Sequence, residues 1–413
     1  MLEKGFEKRA AMRHPRNTLI NQVATSFRSM KEEIVFGVAE RARASKTETS
    51  EAEEKYSSIE TMLRKAPKDN IIHRLDVLIT PQGSHPFQVP IKCPEIQNSS
   101  IDLDAVILYT NLTRQQIEAS PFALVAATHS AMKPHLEQYN LRAVLKDRCI
   151  TVFYKNISVD LLPAIPFNPS DPYNNRILIP EKVSGHTYRL VSSDPFTLLE
   201  RFKQRAELEF QESFVKMALD EGTISSDDFP ERLEYLGVMR YVIVLIKRAR
   251  DNFFPDVMLG RKFVKSILLT TFLSENYHGQ KELLLALDSL SSKLYLWAES
   301  SSSETIRLPN PVDPTEDFAK YLREDPEKLN MFKAFAYHLR SKVQELISNQ
   351  SITSYEQSLI DLFGKDIVKS EVEKVQASHS KLQASDGHRI NSLGHLGVAG
   401  AFAVPKTRFY GDD

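Results

Sequence analysis

The stretch 81–108, PQGSHPFQVPIKCPEIQNSSIDLDAVIL, decides how the chain is read. Its second half, Ile101-Asp-Leu-Asp-Ala-Val-Ile, is a short apolar run carrying two acids, Asp102 and Asp104. Such a run predicts a strand. Side chains two apart on a strand share a face, so the two carboxylates stand side by side with Leu103 on the opposite face. The pair is repulsive unless a cation lies between. Mg²⁺ is the expected cation, because it takes one or two carboxylates together with substrate phosphates. In the first half, Gly83-Ser84 follows an apolar run and predicts a turn, followed by a short helix or an irregular link. Ser84 suits an N-cap, and Pro86 is tolerated in a first helical turn. Gly83 lets a phosphate approach the backbone, and the free N–H groups of the helix start would face it. No Gly-Lys-Ser/Thr follows, so this is not a Walker loop.

A third acid changes the weight of the first two. Asp160 sits inside Ile157-Ser-Val-Asp-Leu-Leu162, an otherwise apolar strand, where an unpaired carboxylate is costly. If its strand lies beside that of Asp102 and Asp104, three carboxylates converge. That is a ligand set for two metal ions roughly 4 Å apart, one activating a hydroxyl and one holding a triphosphate. Farther on, Lys247-Arg-Ala-Arg-Asp251 closes a predicted helix over 232–253. Positive charge is favourable at a helix C-terminus. Lys247 directly follows the apolar run Tyr241–Ile246, however, which places it near a buried face and able to point into a cleft. His129 and His135 are six apart and share no helical face, so the histidines form no ligand cluster. Trp297 lies on an amphipathic helix and is expected in a core.

The 413 residues suffice for two or three domains. With 53 Lys and Arg against 54 Asp and Glu, the formal net charge is −1, and no global field favours nucleic acid or a membrane. Cys93 and Cys149 lie far apart and form no metal-ligand spacing; they read as reduced thiols of a cytoplasmic protein. Residues 1–17 are too charged for a secretory leader, and the apolar window 241–246 is too short to span a bilayer.

The plan along the chain is helical, then mixed, then helical. Residues 18–65 carry apolar positions at spacings of three and four, with a polar break at 43–54. A strand is expected at 70–80, ended by Pro81 and Gly83. A helical crossover at 113–137 is interrupted at Pro121. Strands at 149–154 and 157–162 join at Lys155-Asn156, and one more lies at 176–179. From Phe196 to Val375 only helices are expected, at 196–219, 229–253, 262–277, 281–299, 315–323, 327–348 and 354–376. From Ala377 the chain reads as extended, with Gly387, Gly394, Gly397 and Gly400. This is an α+β protein: a helical segment at 1–66, a mixed-sheet catalytic core at 67–195, a helical lobe at 196–376 and a tail at 377–413.

These pieces resemble a known family in its own order. The chain is similar to the bacterial CD-NTases, cyclic-oligonucleotide synthases of CBASS antiphage systems. They are related to cyclic GMP-AMP synthase and oligoadenylate synthase within the DNA polymerase β-like nucleotidyltransferases. Pro81-Gln82-Gly83-Ser84 resembles the family's phosphate turn. Asp102-Leu103-Asp104 resembles its paired metal ligands, and Val159-Asp160-Leu161-Leu162-Pro163-Ala164 the third. Lys247-Arg248-Ala249-Arg250-Asp251 resembles the helix whose lysine meets the donor triphosphate. Lys265-Ser266-Ile267 resembles a helix start whose serine meets phosphate. Asn310-Pro311 with Glu316-Asp317-Phe318, and Leu362-Phe363-Gly364, resemble late signatures of the helical lobe.

The resemblance covers roughly residues 20–375. It implies a polymerase β-like core with a long N-terminal helix, two Mg²⁺ ions (or Mn²⁺) on Asp102, Asp104 and Asp160, and ATP and other NTPs as substrates. The triphosphate would be held by Gln82, Gly83, Ser84, Lys247 and Ser266. A cyclic di- or oligonucleotide would be the product, in antiphage defence. The tail Phe409-Tyr-Gly-Asp-Asp413 resembles family tails that associate with accessory defence proteins. Nucleic acid and membrane are not required. The rival readings are a nucleotidyltransferase that modifies tRNA or protein, and a catalytically silent scaffold. One position departs from the pattern. The family continues its turn as Gly-Ser-x-x-x-Gly-Thr, and here Gln88 and Val89 stand in the last two places.

Overall fold

Two parallel strands, β2 (Ile101–Tyr109) and β5 (Ile157–Pro166), form the centre of a seven-stranded mixed sheet. The protein is described here from a computed structural model covering residues 30–65, 75–92, 101–155, 157–171, 176–206 and 237–384, with three two-residue strands beyond them. β1 (Val77–Gln82) flanks β2 on one side. β4 (Ile150–Phe153) and β3 (Arg142–Leu145) flank β5 on the other. β6 (Ile177–Ser184) and β7 (Thr187–Ser193) extend the far end of β5 as an antiparallel ribbon. The crossover from β2 to β5 carries helices Arg114–Ile117 and Phe122–Gln138, with the expected break at Pro121 between them.

Both faces of β2 are covered, which explains its nearly unbroken apolar sequence. Leu103, Ala105, Ile107 and Tyr109 enter a core with helices Lys46–Arg64 and Phe122–Gln138. Val106 and Leu108, on the other face, enter a smaller core with Ala164, Ile177 and Ile179. Asp102 and Asp104 continue this second face at the end where its apolar cover stops. Asp160 does the same on β5.

A helix at 30–42 belongs to the helical lobe: Ile34, Val35, Val38 and Ala39 are fully buried in the lobe core. Its Glu32 accepts from the backbone N–H groups of Leu283 and Leu284, capping helix Leu283–Ser300. At Ser45 a capping box with Glu48 starts helix Lys46–Arg64, whose Ile59 and Leu63 pack under the sheet instead. The N-terminal helical segment thus contributes to both cores.

Several expectations need correction. β1 does not stop at Pro81; it continues to Gln82, because β1 is an edge strand where proline costs no ladder bond. β3 and β7 are strands that alternation alone did not mark. The region 315–323 is not a helix throughout: β8 (Pro309–Asn310) and β9 (Asp313–Asp317) form a small hairpin, and only Lys320–Arg323 is helical. The segment 354–376 is two helices, Ile352–Phe363 and Lys365–Ala384, divided at Gly364, whose φ of 92° ends the first. The second helix carries the folded chain past Ala377 to Ala384, and Arg389–Ile390, Leu396–Gly397 and Phe402–Ala403 pair as short strands. The predicted helical residues before 30 and at 207–236, together with Cys93, lie outside the described residues. Trp297 stacks on Phe272 at 4.7 Å between ring centroids, within the lobe core as expected.

Candidate active site

The sheet brings the predicted acids together by register. Asp104 pairs with Asp160 across the parallel β2–β5 ladder, and Asp102 with Ser158. On the other side of β2, Gln82 pairs with Asp104, so the turn after β1 starts beside that carboxylate. Gly83 has φ 67°, and a Cβ there would lie 2.2 Å from Asp104 Oδ2. Glycine is needed twice over at this position, for its backbone and for its missing side chain.

Two of the three carboxylates already have side-chain partners. Asp102 Oδ1 accepts from Ser158 Oγ at 2.7 Å, and Asp102 Oδ2 from Arg261 Nη1 at 3.2 Å. Asp160 accepts from Lys146 Nζ at 3.1 Å on both oxygens, and from Thr151 Oγ1. Asp104 is open to water on one side and enclosed by protein on the others. Its proton affinity is pushed up to about 7, by that enclosure first and then by the charges of Asp102 and Asp160. Tyr56 OH donates to the Asp104 backbone carbonyl at 3.2 Å, fixing the strand beneath it. The Cys149 thiol nearby is pushed up to about 11 by burial and by Asp160, so it is no thiolate nucleophile.

No helix opens at Gly83-Ser84. Residues 83–88 form a compact turn, closed by Val89 N–H to Ser84 C=O and Gln88 N–H to His85 C=O, both at 2.9 Å. From Phe87 onward, Phe87, Val89 and Ile91 enter the core of the helical lobe. Of the short helix and the irregular link expected after the turn, the chain forms the link. Burial of alternate residues outweighed the capping signal, and Phe-Gln-Val-Pro-Ile carried that period-2 pattern in the sequence. At Gln88, φ is 61°, the left-handed conformation that the family's glycine at this place would take without strain. Val89 is fully buried, so the position that is threonine in the pattern serves packing here.

The helical lobe grips this turn through helix Val238–Phe253. That helix is buried at every position from Tyr241 to Asp251. Lys247 is thus inside the helix and inside the protein, not at an exposed helix end. Its Nζ donates to Ser84 Oγ and to the Val89 carbonyl, each at 2.7 Å. Two turns earlier, Arg240 Nε donates to the Phe87 carbonyl at 3.2 Å. Burial, with Arg250 and Arg261 nearby, pulls the Lys247 ammonium down to about 7. Ser266 begins helix Ser266–Asn276, and its Oγ accepts from Arg250 Nη1 at 3.0 Å.

The late signatures turn out to be joints. Asn310 Nδ2 donates to Glu316 at 2.8 Å, and Asp317 accepts from the Leu308 and Ala319 N–H groups at 2.9 Å. Asp313 reaches back to the sheet, pairing with Arg176 at 3.1 Å and accepting from Ser192 Oγ at 2.8 Å. Arg248 donates to the Phe363 carbonyl and to Asp366, fixing the Leu362-Phe363-Gly364 turn.

Reasoning from sequence missed Lys146, Thr151, Ser158, Arg261 and Tyr56. Ser158 had a signal, since it lies two before Asp160 on one strand. The others depend on pairings no local pattern reveals. His129 and His135 take no part.

The donor chemistry fits Mg²⁺: oxygen ligands only, with two protein cations, Arg261 and Lys146, placed on two of the three carboxylates as stand-ins. Among the described residues, no three His, Cys, Asp or Glu side chains are drawn together as a preformed cage. The carboxylates fit a metal that arrives with phosphate ligands of its own.

No protein-family model matches the chain. A c-di-GMP synthase of Roseivirga ehrenbergii is 24% identical over 410 residues, covering 94% of this chain and all of that protein. The Bradyrhizobium diazoefficiens CD-NTase CdnG, solved in complex with GTP, superposes with a TM-score of 0.64 at 17% identity, covering 84% of this chain and 99% of that one. The chain has the CD-NTase fold. A second structure with this fold, the Escherichia coli MS115-1 CdnC:HORMA-deltaN complex, matches with a TM-score of 0.53 at 13% identity over 81% of this chain and 96% of that one. The CD-NTase fold accounts for the mixed sheet and the helical lobe as one unit. Among the described residues, no helix is long and apolar enough to cross a membrane.

Proposed function

We propose that the chain is a Mg²⁺-dependent nucleotidyltransferase that joins NTPs into a cyclic di- or oligonucleotide and releases pyrophosphate. One observation carries the reading. Asp102, Asp104 and Asp160 stand on adjacent strands in register, facing a glycine turn that a buried lysine of the other lobe holds. End-to-end likeness to a c-di-GMP synthase, and a fold shared with a GTP-bound CD-NTase, support it and make GTP the first substrate to test, with ATP next.

Asp102, Asp104 and Asp160 would hold the metal ions. When bound, these lower the pKa of the acceptor ribose hydroxyl and take up charge on the departing pyrophosphate. The chain's own part is placement and charge. The Gly83 turn lets the Asp104 carboxylate pack against its backbone, and its N–H groups would be the contacts for a phosphate. Lys247 fixes that turn and brings positive charge to it. Ser266, tied to Arg250 at the start of its helix, is the candidate phosphate contact from the other lobe. Gln82, level with Asp104 at the end of β1, is the remaining candidate contact.

We further propose a role in antiphage signalling with an accessory protein that contacts the chain after Ala384, where Phe402, Phe409 and Tyr410 offer aromatic anchors. A HORMA complex of a protein with the same fold supports that class of partner. The decisive experiment incubates purified protein with all four NTPs and Mg²⁺ and identifies products by mass spectrometry. A cyclic product containing guanine is expected. No NTP consumption, or nucleotide found only on added tRNA or protein, would overturn the reading.

A further inference from the structure

A chain of charges crosses the cleft at one point. Asp251, almost fully buried on the central helix, pairs with Arg250 at 2.7 Å and with Arg261 Nη2 at 3.1 Å. Arg250 continues to Ser266 Oγ. Arg261, from the short helix Val257–Phe263, continues to Asp102 Oδ2 at 3.2 Å. Two guanidiniums thus share Asp251 in the lobe, and one of them also reaches Asp102 on the sheet. The Arg261 side chain is 14% exposed and anchored on one side by Asp251, whereas that of Asp102 is 45% exposed. The Asp102 contact is the one that water and ligands can reach.

We propose that Arg261 is a triphosphate-binding residue held in reserve on Asp102. The inference rests on the nucleotidyltransferase reading above. A cation entering at Asp102 takes away one of the two carboxylates that now face Arg261. The guanidinium keeps Asp251 but loses part of its charge compensation in a nearly dry site, where that loss is costly. A phosphate satisfies it, since guanidinium and phosphate match in charge and in fork geometry. Nucleotide and metal would therefore enter together: phosphate draws Arg261 off Asp102, and Asp102 is then open to the ion. Asp251 keeps Arg261 within reach during the exchange. Arg261 positions the triphosphate and controls one metal ligand; it does not itself exchange a proton.

The test uses full-length protein, Mn²⁺ and a non-hydrolysable α,β-methylene GTP analogue. Electron paramagnetic resonance reads Mn²⁺ binding, and calorimetry in EDTA reads analogue binding without metal. Arg261→Gln should bind Mn²⁺ alone roughly tenfold more tightly than wild type, and bind the analogue in EDTA roughly tenfold more weakly, the scale of one charge-assisted contact. Asp102→Asn keeps Arg261 and its Asp251 anchor, and so guards against a folding artefact. It should bind the analogue in EDTA severalfold more tightly than wild type, because its guanidinium is released. If wild type takes up Mn²⁺ with the analogue, but neither variant shifts in the stated direction, the role of Arg261 is overturned and the metal site stands. If wild type takes up no Mn²⁺ even with the analogue, the metal site falls and this inference with it.

Discussion

Two sets of charged residues lie within reach of the same turn, and they are built on opposite principles. On the sheet, the Asp102 side chain is 45% exposed, and Asp160 at 29% is paired with Lys146 at 46%. On the central helix, Lys247, Arg248, Arg250 and Asp251 are all at 2% or less. The sheet acids hold partners that water and ligands can displace, and an exposed pair of this kind is worth little to the fold. The helix charges bind backbone carbonyls and, for Arg250, the buried Asp251, where losing one partner strands the other. Charge that must change hands in a reaction stays accessible. Charge that fixes the shape of the site is sealed. The motif Lys-Arg-Ala-Arg-Asp contains only the second kind.

The largest effect expected from this contrast is on activity alone. Asp102→Asn with Asp104→Asn should cut product formation by at least about a thousandfold, about 4 kcal/mol of barrier. The melting temperature should hold or rise, since mutual repulsion is relieved. Turnover assays beside thermal melts check this; retained turnover would mean that the acids are not the metal site. Arg248→Met should do the reverse. It leaves the Phe363 carbonyl without its donor, while the exposed Asp366 turns to water, and a loss of about 1–3 kcal/mol is expected in urea unfolding. Nucleotide affinity at temperatures where the variant is folded should change little, because Arg248 faces the Gly364 turn and not the phosphate turn. A stable variant with poor nucleotide binding would break the division.

Lys247 belongs to the sealed set yet touches the Gly83 turn, so its substitution sharpens the comparison. Lys247→Met should raise KM for nucleotide more than it lowers kcat, because a charge near phosphate acts on ground state and transition state alike. It should also alter the pH dependence of stability. The folded-state pKa, lowered from 10.5 to about 7, lies below the unfolded one, so between these values the unfolded chain binds more protons. Wild-type stability from this group is therefore fully present above about pH 10.5, declines as pH falls, and is lost below about pH 7. The melting temperature of wild type minus that of the variant should grow from pH 7 to pH 9.5. A difference that stays flat would mean that Lys247 is charged throughout.

Much of the sheet side was legible in the sequence because strand periodicity is local. Asp102, Asp104 and Asp160 could be placed on strands, and a shared face for the first two followed from spacing alone. That Asp160 lies level with Asp104 is a register between strands some fifty positions apart, which no local pattern carries. The helix side was legible only in part, for a similar reason. Lys247 could be placed near a buried face, but burial of Arg248, Arg250 and Asp251 as well is a property of the lobe and not of the helix. Of the short helix and the irregular link expected after Gly83, the link forms, because a capping residue offers about 1 kcal/mol, whereas Phe87, Val89 and Ile91 each gain about 1.5–3 kcal/mol by entering the lobe core.

The smallest expected effect concerns Gln88, where the turn departs from the family pattern. Its φ of 61° places an L-residue in left-handed space, at a cost of about 1–2 kcal/mol relative to glycine. Asn140, with φ 49°, shares the conformation but is a residue type that tolerates it. Gln88→Gly should remove the steric cost while loosening the unfolded chain, which returns about 0.4–1 kcal/mol of the gain. The expected net is a stabilisation of about 0.5 kcal/mol in urea unfolding, with KM for nucleotide unchanged. The Gln88 side chain is exposed, and the turn is held from below by Lys247 and Arg240 through Ser84, Val89 and Phe87. Gln88→Val, which is β-branched, should destabilise instead, because left-handed space is hardest on such residues. If glycine destabilises the protein or raises KM, Gln88 is retained for a contact with nucleotide. The accessible set of exchangeable groups would then extend from the sheet acids into the turn itself.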